Sequence, residues 1–481
     1  MRENYLNYKD NPNPTANIGF MCYVPLNFYV YENIYKHLPN SEFIVGDSYD
    51  VEGYSLISDY LENLLEFFSK QNAYWRFANP QDKKLTKNEF YSKYAVLVST
   101  WYRGATAAPY NKDKKLVRVM YGHAKDPWNF GPWSAYFDLI LSYGEYSQKF
   151  LSFYGTSTIV GNPKFDDWFS DNIDAGELNK IKRALNPVKK TILYVPTHGY
   201  LSSLGIMINA INSLSSDYNI ILKVHHNTHL YEQETLTPYK ENPRIIIKGD
   251  EDDILPLLKV ADFVVSDNSG AIFDATLADK PIILVDFLDD NFFEEFKENL
   301  FYLFEGRHMG VVTGKNSIEQ IIKSAGEEIG PVIRIPREDY LSPVIRRQVA
   351  DKKLREALIS AVENEDMFKL RRKKIRELAF SYNDGDCGKR AAGKIEKLLF
   401  KPKAGPSFLA ESLDKYYNHF ITGKIGISGG PGFWHSKKGR EEAAKRYLKI
   451  KSLPFWQKIS VVMDEFFGNE NEIGKQKDDK I

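Results

Sequence analysis

Four short polar clusters in this chain combine residue types able to hold a phosphate ester, and each follows a run of apolar, β-branched residues. They are Pro196-Thr197-His198-Gly199, His225-His226-Asn227-Thr228, Gly249-Asp250 and Ser266-Asp267-Asn268-Ser269-Gly270. Hydroxyls, amides and glycine backbones donate to phosphate oxygens, and histidine can donate or act as a general base near neutral pH. Thr197, His198, Asp250, Ser266, Asn268, Ser269 and Gly270 are therefore candidate ligand-binding residues, and His225 is a candidate catalytic one. Taken alone, Ser266–Gly270 is equally a helix cap, and His225 equally a loop histidine bonded to backbone. What favours a site is the convergence of four such loops. A zinc reading of His225, His226 and His229 lacks a carboxylate or cysteine at metal spacing. No acidic cluster resembles a dedicated magnesium site, so neither a metal nor a cofactor is expected.

Positioning these clusters requires strands that alternate with helices. The clearest strand signals fall at residues 191–195, 219–224, 244–248, 262–266 and 281–286, with helical stretches between them. After residue 266 the small polar turn leads into Ile272, Phe273 and Leu277, an apolar face at helical spacing that Lys280-Pro281 ends. A helix starting near Ser269 would turn its free N–H groups and positive dipole end toward the mouth of the sheet. An earlier run of strand signals covers 18–24, 42–46, 95–100, 116–121, 138–143 and 158–161, with amphipathic segments such as 55–69 and 145–153. Alternation of this kind implies parallel sheets with right-handed crossovers. The expected fold is α/β, two doubly wound Rossmann-like domains facing a cleft.

The polar segment 171–187 separates the two runs, which gives a first domain over 1–175 and a second over 176–400, closed by helices near 366–380 and 389–399. Beyond residue 400 the composition shifts. Residues 401–460 hold 12 Lys/Arg against 4 Asp/Glu, a net +8, so 401–481 reads as a basic, aromatic-bearing extension. Such a stretch suits an anionic membrane surface, and equally a helical appendage on the first domain. Within the first domain, Tyr121-Gly-His123-Ala-Lys125 follows a strand and would face the cleft, making His123 a second catalytic candidate and Lys125 an acceptor-side one. Gly161-Asn-Pro-Lys-Phe-Asp166 reads as a tight structural exit from that domain, with Lys164 as a further acceptor-side candidate.

Composition bounds the remaining possibilities. Lys+Arg and Asp+Glu both number 64, which argues against nucleic acid as a partner. Two distant cysteines, Cys22 and Cys387, suggest neither a disulfide framework nor a metal unit, and a reducing cytoplasm is the simplest setting. No segment approaches the ~20 apolar residues needed to span a bilayer. The expected location is cytoplasmic, with a peripheral place on the inner face of the cell membrane as a further option.

Taken together, the clusters are similar to the CDP-glycerol glycerophosphotransferase family, whose members build teichoic acids and related polyol-phosphate polymers. The resemblance rests on Gly161-Asn-Pro-Lys-Phe-Asp166, Leu193-Tyr-Val-Pro-Thr197, Leu222-Lys-Val-His225, Ser266-Asp-Asn-Ser269 with Asp274, Asp279-Lys-Pro-Ile282 and Asp386-Cys-Gly-Lys-Arg390, in order between about residues 90 and 400. It implies a glycosyltransferase-B type architecture and transfer of a polyol-phosphate unit from a CDP-linked donor to an acceptor hydroxyl, with release of CMP. It further implies that Thr197 and Ser269 hold the donor phosphates, that Asp274 orients the cytidine or ribose region, and that His225 contacts the pyrophosphate. A lipid-linked or oligomeric acceptor would go with it. The chain departs from the family's His-Gly pair after a first-domain strand, reading Tyr121-Gly122-His123, and from its Trp-Arg after Pro-Thr, reading His198-Gly199. Two other functions stay open: a nucleotide-sugar glycosyltransferase or epimerase of the same architecture, and a non-catalytic nucleotide-binding protein.

Overall fold

The computed structural model describes residues 8–46, 58–78, 87–101, 113–124, 129–130, 132–199, 202–287, 328–336, 342–407 and 409–411. Within them, two wholly parallel sheets form. The first contains β1 (Ile18–Cys22), β2 (Ser41–Val45), β3 (Trp75–Phe77), β4 (Val96–Ser99), β5 (Lys115–Val119), β6 (Leu139–Ser142) and β7 (Ser157–Ile159), in the order β3-β2-β1-β4-β5-β6-β7. The second contains β8 (Thr191–Val195), β9 (Asn219–Lys223), β10 (Ile245–Lys248), β11 (Phe263–Ser266), β12 (Ile282–Asp286) and β13 (Val332–Arg334), in the order β10-β9-β8-β11-β12-β13. Both are doubly wound, as the sequence pattern implies, and each reverses direction beside its first strand, at β1/β4 and at β8/β11.

Burial along the strands reports their place. Central strands such as β1, β8 and β11 are buried at every residue, because helices cover both faces of a parallel sheet. The edge strands β7, β10 and β13 are only partly buried. Among the described residues three large apolar clusters result. One covers the outer face of the first sheet, with Phe20, Tyr31 and Phe43, and another the outer face of the second, with Tyr194, Ile211 and Leu354. The third joins the facing sides of both sheets, running from Ile140 and Tyr143 through Phe165 and Phe273 to Leu193 and Val264.

The end of the chain departs from its sequence-order assignment to the second domain. Helix Cys387–Leu399 lies on the first sheet, with Ala391, Ala392 and Ile395 in the same cluster as Phe20 and Tyr31. Residues of the first unit hold both of its ends. The Asp166 carboxylate accepts the N–H groups of Cys387 at 2.9 Å and Gly388 at 2.6 Å. Lys115 Nζ donates to the carbonyls of Leu398 and Leu399, each at 2.8 Å. An anion at the helix N-terminus and a cation at its C-terminus both oppose the macrodipole. Gly161 sits in the turn beneath with φ of 87°, and a Cβ there would collide with Cys387 Sγ. Two motifs far apart in sequence, Gly161–Asp166 and Asp386–Arg390, are thus two halves of one joint.

The basic extension can be followed only over 401–407 and 409–411, and its remainder lies outside the described residues. That short stretch runs along the first unit, with Ala410 packed on Ala135 and Lys403 Nζ donating to the Lys114 carbonyl.

Candidate functional site

The loops after β8, β9, β10 and β11 meet at one edge of the second sheet, beside its β8/β11 reversal. A single carboxylate ties the loop after β11 to the loop after β8. Asp267, 3% exposed, accepts from Thr197 N at 2.8 Å through one oxygen. Its other oxygen accepts from Ser203 N at 2.7 Å and Ser203 Oγ at 2.8 Å. Ser266 Oγ, wholly buried, donates to the Val195 carbonyl at 2.6 Å and so ties the ends of the two strands together. The far side of the Thr197 loop is held by Glu232, whose Oε1 accepts from Gly199 N at 2.7 Å. Gly199 has φ of 66°, a conformation that favours glycine.

These anchors bring His198 against His225, with ring centroids 4.4 Å apart, and His226 lies tilted against His225 at 4.1 Å. All three rings are half-buried. His225 precedes helix His226–Tyr231, and its Nδ1 accepts from Asn227 N at 3.1 Å. In the neutral ring the proton then sits on Nε2, which makes His225 a donor from that nitrogen. Asn227 Nδ2 lies 3.2 Å from His198 Nε2, fixing that ring as well.

The helix after β11 covers Ala271–Leu277 and is capped by the Gly270 backbone, so it begins later than Ser269. Ser269 Oγ instead accepts from Ala271 N at 3.3 Å, Thr197 and Ser269 are buried, and Asn268 and Gly270 are half-buried. Asp250 is buried after β10. Beside it, Lys223 Nζ donates to the Gly249 carbonyl, and burial pushes its ammonium pKa down. Asp253 caps helix Ile254–Val260 through Leu255 N at 3.2 Å, and burial pushes its carboxyl pKa up to about 6.

Residues assigned to the acceptor side fall differently. Lys125 lies outside the described residues. Lys164, with 3% of its side chain exposed, places Nζ 2.7 Å from Asp274 Oδ2 on the helix after β11, an ion pair between the two units. Tyr29 OH adds a second link by donating to the Glu251 carbonyl at 2.5 Å. His123 lies where the two units meet but is enclosed there, rather than open to a ligand as the sequence suggested. It is fully buried among Tyr143, Phe273 and Phe380, with Nε2 3.0 Å from the Ala379 carbonyl. Burial lowers its pKa to about 4, so the ring is neutral at ordinary pH. The aromatic faces that meet there are contributed by both units, and no spacing in the sequence reveals that.

Sequence reasoning named the residues around Asp267 but not Asp267 itself, whose acidic side chain in an otherwise neutral turn was the available signal. Among the described residues no group of three or more His, Cys, Asp or Glu is placed to hold a metal ion.

Comparison with known proteins bears out the resemblance. The family model for CDP-glycerol:poly(glycerophosphate) glycerophosphotransferase matches residues 138–299, a segment containing β8 to β12 and all four loops, and it indicates a transferase. No curated protein sequence matches the chain. Among solved structures, a variant of the wall teichoic acid polymerase TagF soaked with CDPG superposes with a TM-score of 0.50 at 16% identity, covering 82% of this chain and 91% of that one. A second TagF variant gives 0.50 at 16% identity over 82% and 92%. A putative UDP-N-acetylglucosamine 2-epimerase from Listeria monocytogenes gives 0.48 at 14% identity over 82% and 100%. At these identities the TagF likenesses establish the fold, two facing α/β units of glycosyltransferase-B type.

Proposed function

From a chain that resembles the CDP-glycerol glycerophosphotransferases across its donor-side loops, we propose that this protein transfers a glycerol-phosphate or related polyol-phosphate unit from a CDP-linked donor to an acceptor hydroxyl. The observation that carries this reading is the overlap of the family match, residues 138–299, with the loops joined by Asp267 at the β8/β11 edge. The acceptor oxygen attacks the β-phosphorus of the donor, the phosphoanhydride bond to CMP breaks, and negative charge develops on the leaving phosphate. Fixed donors aimed at that charge lower the barrier without reorganising during the reaction. Thr197, His198, the Nε2–H of His225 and the turn Ser266, Asn268, Ser269 and Gly270 fill that part. Asp250 lies at the rim of the same site. Asp274, held by Lys164, faces the cytidine or ribose side. His123 acts as base only in a state where the units part around Phe273; closed, it is an enclosed neutral ring.

The test is nucleotide release. Incubation with CDP-glycerol or CDP-ribitol and a polyol-phosphate acceptor should liberate CMP. Release of UDP from UDP-sugars instead would move the protein to sugar transfer or epimerisation. Tight nucleotide binding with no release from any donor would make it a non-catalytic binder.

A lipid-linked or oligomeric acceptor would place this chemistry at the inner face of the cell membrane, with the basic stretch 401–481 against anionic lipid. No helix among the described residues is long and apolar enough to cross a membrane. Removing 412–481 should therefore abolish sedimentation with acidic liposomes, and unchanged binding would end the membrane role.

A further inference from the structure

The turn Gly161–Asp166 lies at the C-terminal end of β7 against both units, and five of its six residues have an evident partner. Gly161 makes room for Cys387 Sγ. The Pro163 carbonyl accepts from Asn33 Nδ2 at 3.1 Å. Lys164 pairs with Asp274, Phe165 fills the core shared by the sheets, and Asp166 caps the last helix. Asn162 differs. It is 3% exposed, yet among the described residues neither Oδ1 nor Nδ2 has a hydrogen-bond partner. Only its backbone carbonyl is engaged, accepting from Phe165 N at 3.0 Å.

Burying an idle carboxamide costs the desolvation of both its groups, and a leucine of similar shape would avoid that cost. A polar side chain kept under those terms calls for a partner that arrives from outside. The chemistry of that partner follows from what the carboxamide lacks. A phosphate oxygen would satisfy the NH₂ alone, and a cation the carbonyl alone. A hydroxyl both donates and accepts, so two adjacent hydroxyls satisfy the whole group. The neighbouring Lys164–Asp274 pair holds the turn, which belongs to the first unit, against the helix that follows the Ser266–Gly270 loop of the second.

We propose that Asn162 binds the free vicinal hydroxyls of the polyol unit carried by the nucleotide donor. This rests on the donor reading given above and assigns the part of the donor that CDP alone does not contain.

The experiment compares CDP-glycerol with CDP by titration calorimetry on the full chain and its N162L and N162S variants. Wild type should prefer CDP-glycerol. N162L should bind CDP-glycerol about tenfold more weakly and CDP unchanged, since two neutral hydrogen bonds are lost. Its thermal midpoint should hold or rise. If N162L fails to fold, N162S decides on the same ratio of affinities. A variant that keeps the wild-type preference overturns the proposal, and a lowered midpoint with that preference intact assigns the carboxamide to a buried water instead. A wild type that binds neither nucleotide removes the donor reading and this subsite with it, a result distinct from a wild type and variant that bind alike.

Discussion

Replacing Asp267 with asparagine should loosen the loops at the β8/β11 edge by an amount that the geometry fixes. The carboxylate accepts one bond from Thr197 and two from Ser203, all between 2.7 and 2.8 Å, at 3% exposure. Asparagine keeps one oxygen, so the Thr197 bond can survive while an NH₂ group confronts the Ser203 N–H. Bonds to a charged acceptor are worth about 1.5–3 kcal/mol each, which puts the loss of the Ser203 pair at roughly 3–6 kcal/mol if nothing relaxes. Water reaching a loosened Ser203 returns part of that, leaving about 3 kcal/mol. When the ordered loop is only one member of an ensemble, apparent affinity falls with its population. Since each 1.4 kcal/mol is tenfold, CDP binding should weaken by about a hundredfold. Titration calorimetry with CDP and a thermal melt of the same preparation measure both effects. A D267N protein that melts like wild type and binds CDP within about threefold of it would refute the view that this carboxylate assembles the site.

Three further outcomes follow from the same contacts. D166A leaves the N–H groups of Cys387 and Gly388 without their acceptor, and loss of such a cap should cost about 2 kcal/mol; hydrogen exchange should rise across 387–399 first, and uniform exchange would contradict the joint. Lys164→Met strands the Asp274 carboxylate at a nearly buried contact, at a cost of about 3–5 kcal/mol, while K164M/D274L should recover most of it; a double-mutant cycle with no coupling would deny the pair any role in holding the units together. Burial holds His123 at about 4 against an ordinary ~6.5, so between those values the unfolded chain binds a proton that the folded one does not, and His123 costs stability as pH falls. Asp253, raised to about 6, works in the opposite sense over much of that window, being protonated in the fold while ionised in the unfolded chain. The difference in urea midpoint between H123F and wild type isolates the histidine; it should shift in favour of H123F as pH drops from about 6.5 to about 4.5, and a flat difference would exclude a buried neutral ring.

The elements that carry the loops of the candidate site were legible because central parallel strands announce themselves as apolar runs. The signals at 191–195 and 262–266 match β8 and β11 to within a residue. Two of the edge strands, β3 and β13, gave no such run. Trp75-Arg-Phe77 and Val332-Ile-Arg334 are three residues long and only partly buried, so neither composition nor alternation marks them. Helix Pro343–Glu363 went unread because its charged residues break the apolar stripe, although Ser342-Pro343 is a recognisable start. In the site, Thr197, His225 and Ser266 were visible from their position at strand ends. Asp267's partners lie 70 and 64 residues away, and Asp166's lie 221 and 222 away. Lys164 and Asp274 were each noticed, on opposite sides of the cleft, but their bond exists only in three dimensions.

The return of helix Cys387–Leu399 to the first sheet has a topological meaning. It makes the second unit an insertion: the chain leaves the first unit after Asp166, builds β8 to β13 with their helices, and returns along Ala379–Ser381 to Cys387. Two covalent tethers therefore join the units, and both converge on the Asp166 carboxylate. A body hung from two adjacent tethers can rock about the line between them more readily than it can twist or drift apart. For engineering, the exchangeable cassette is the stretch between those tethers, and a graft that cuts at the first boundary alone would carry away the helix that completes its host.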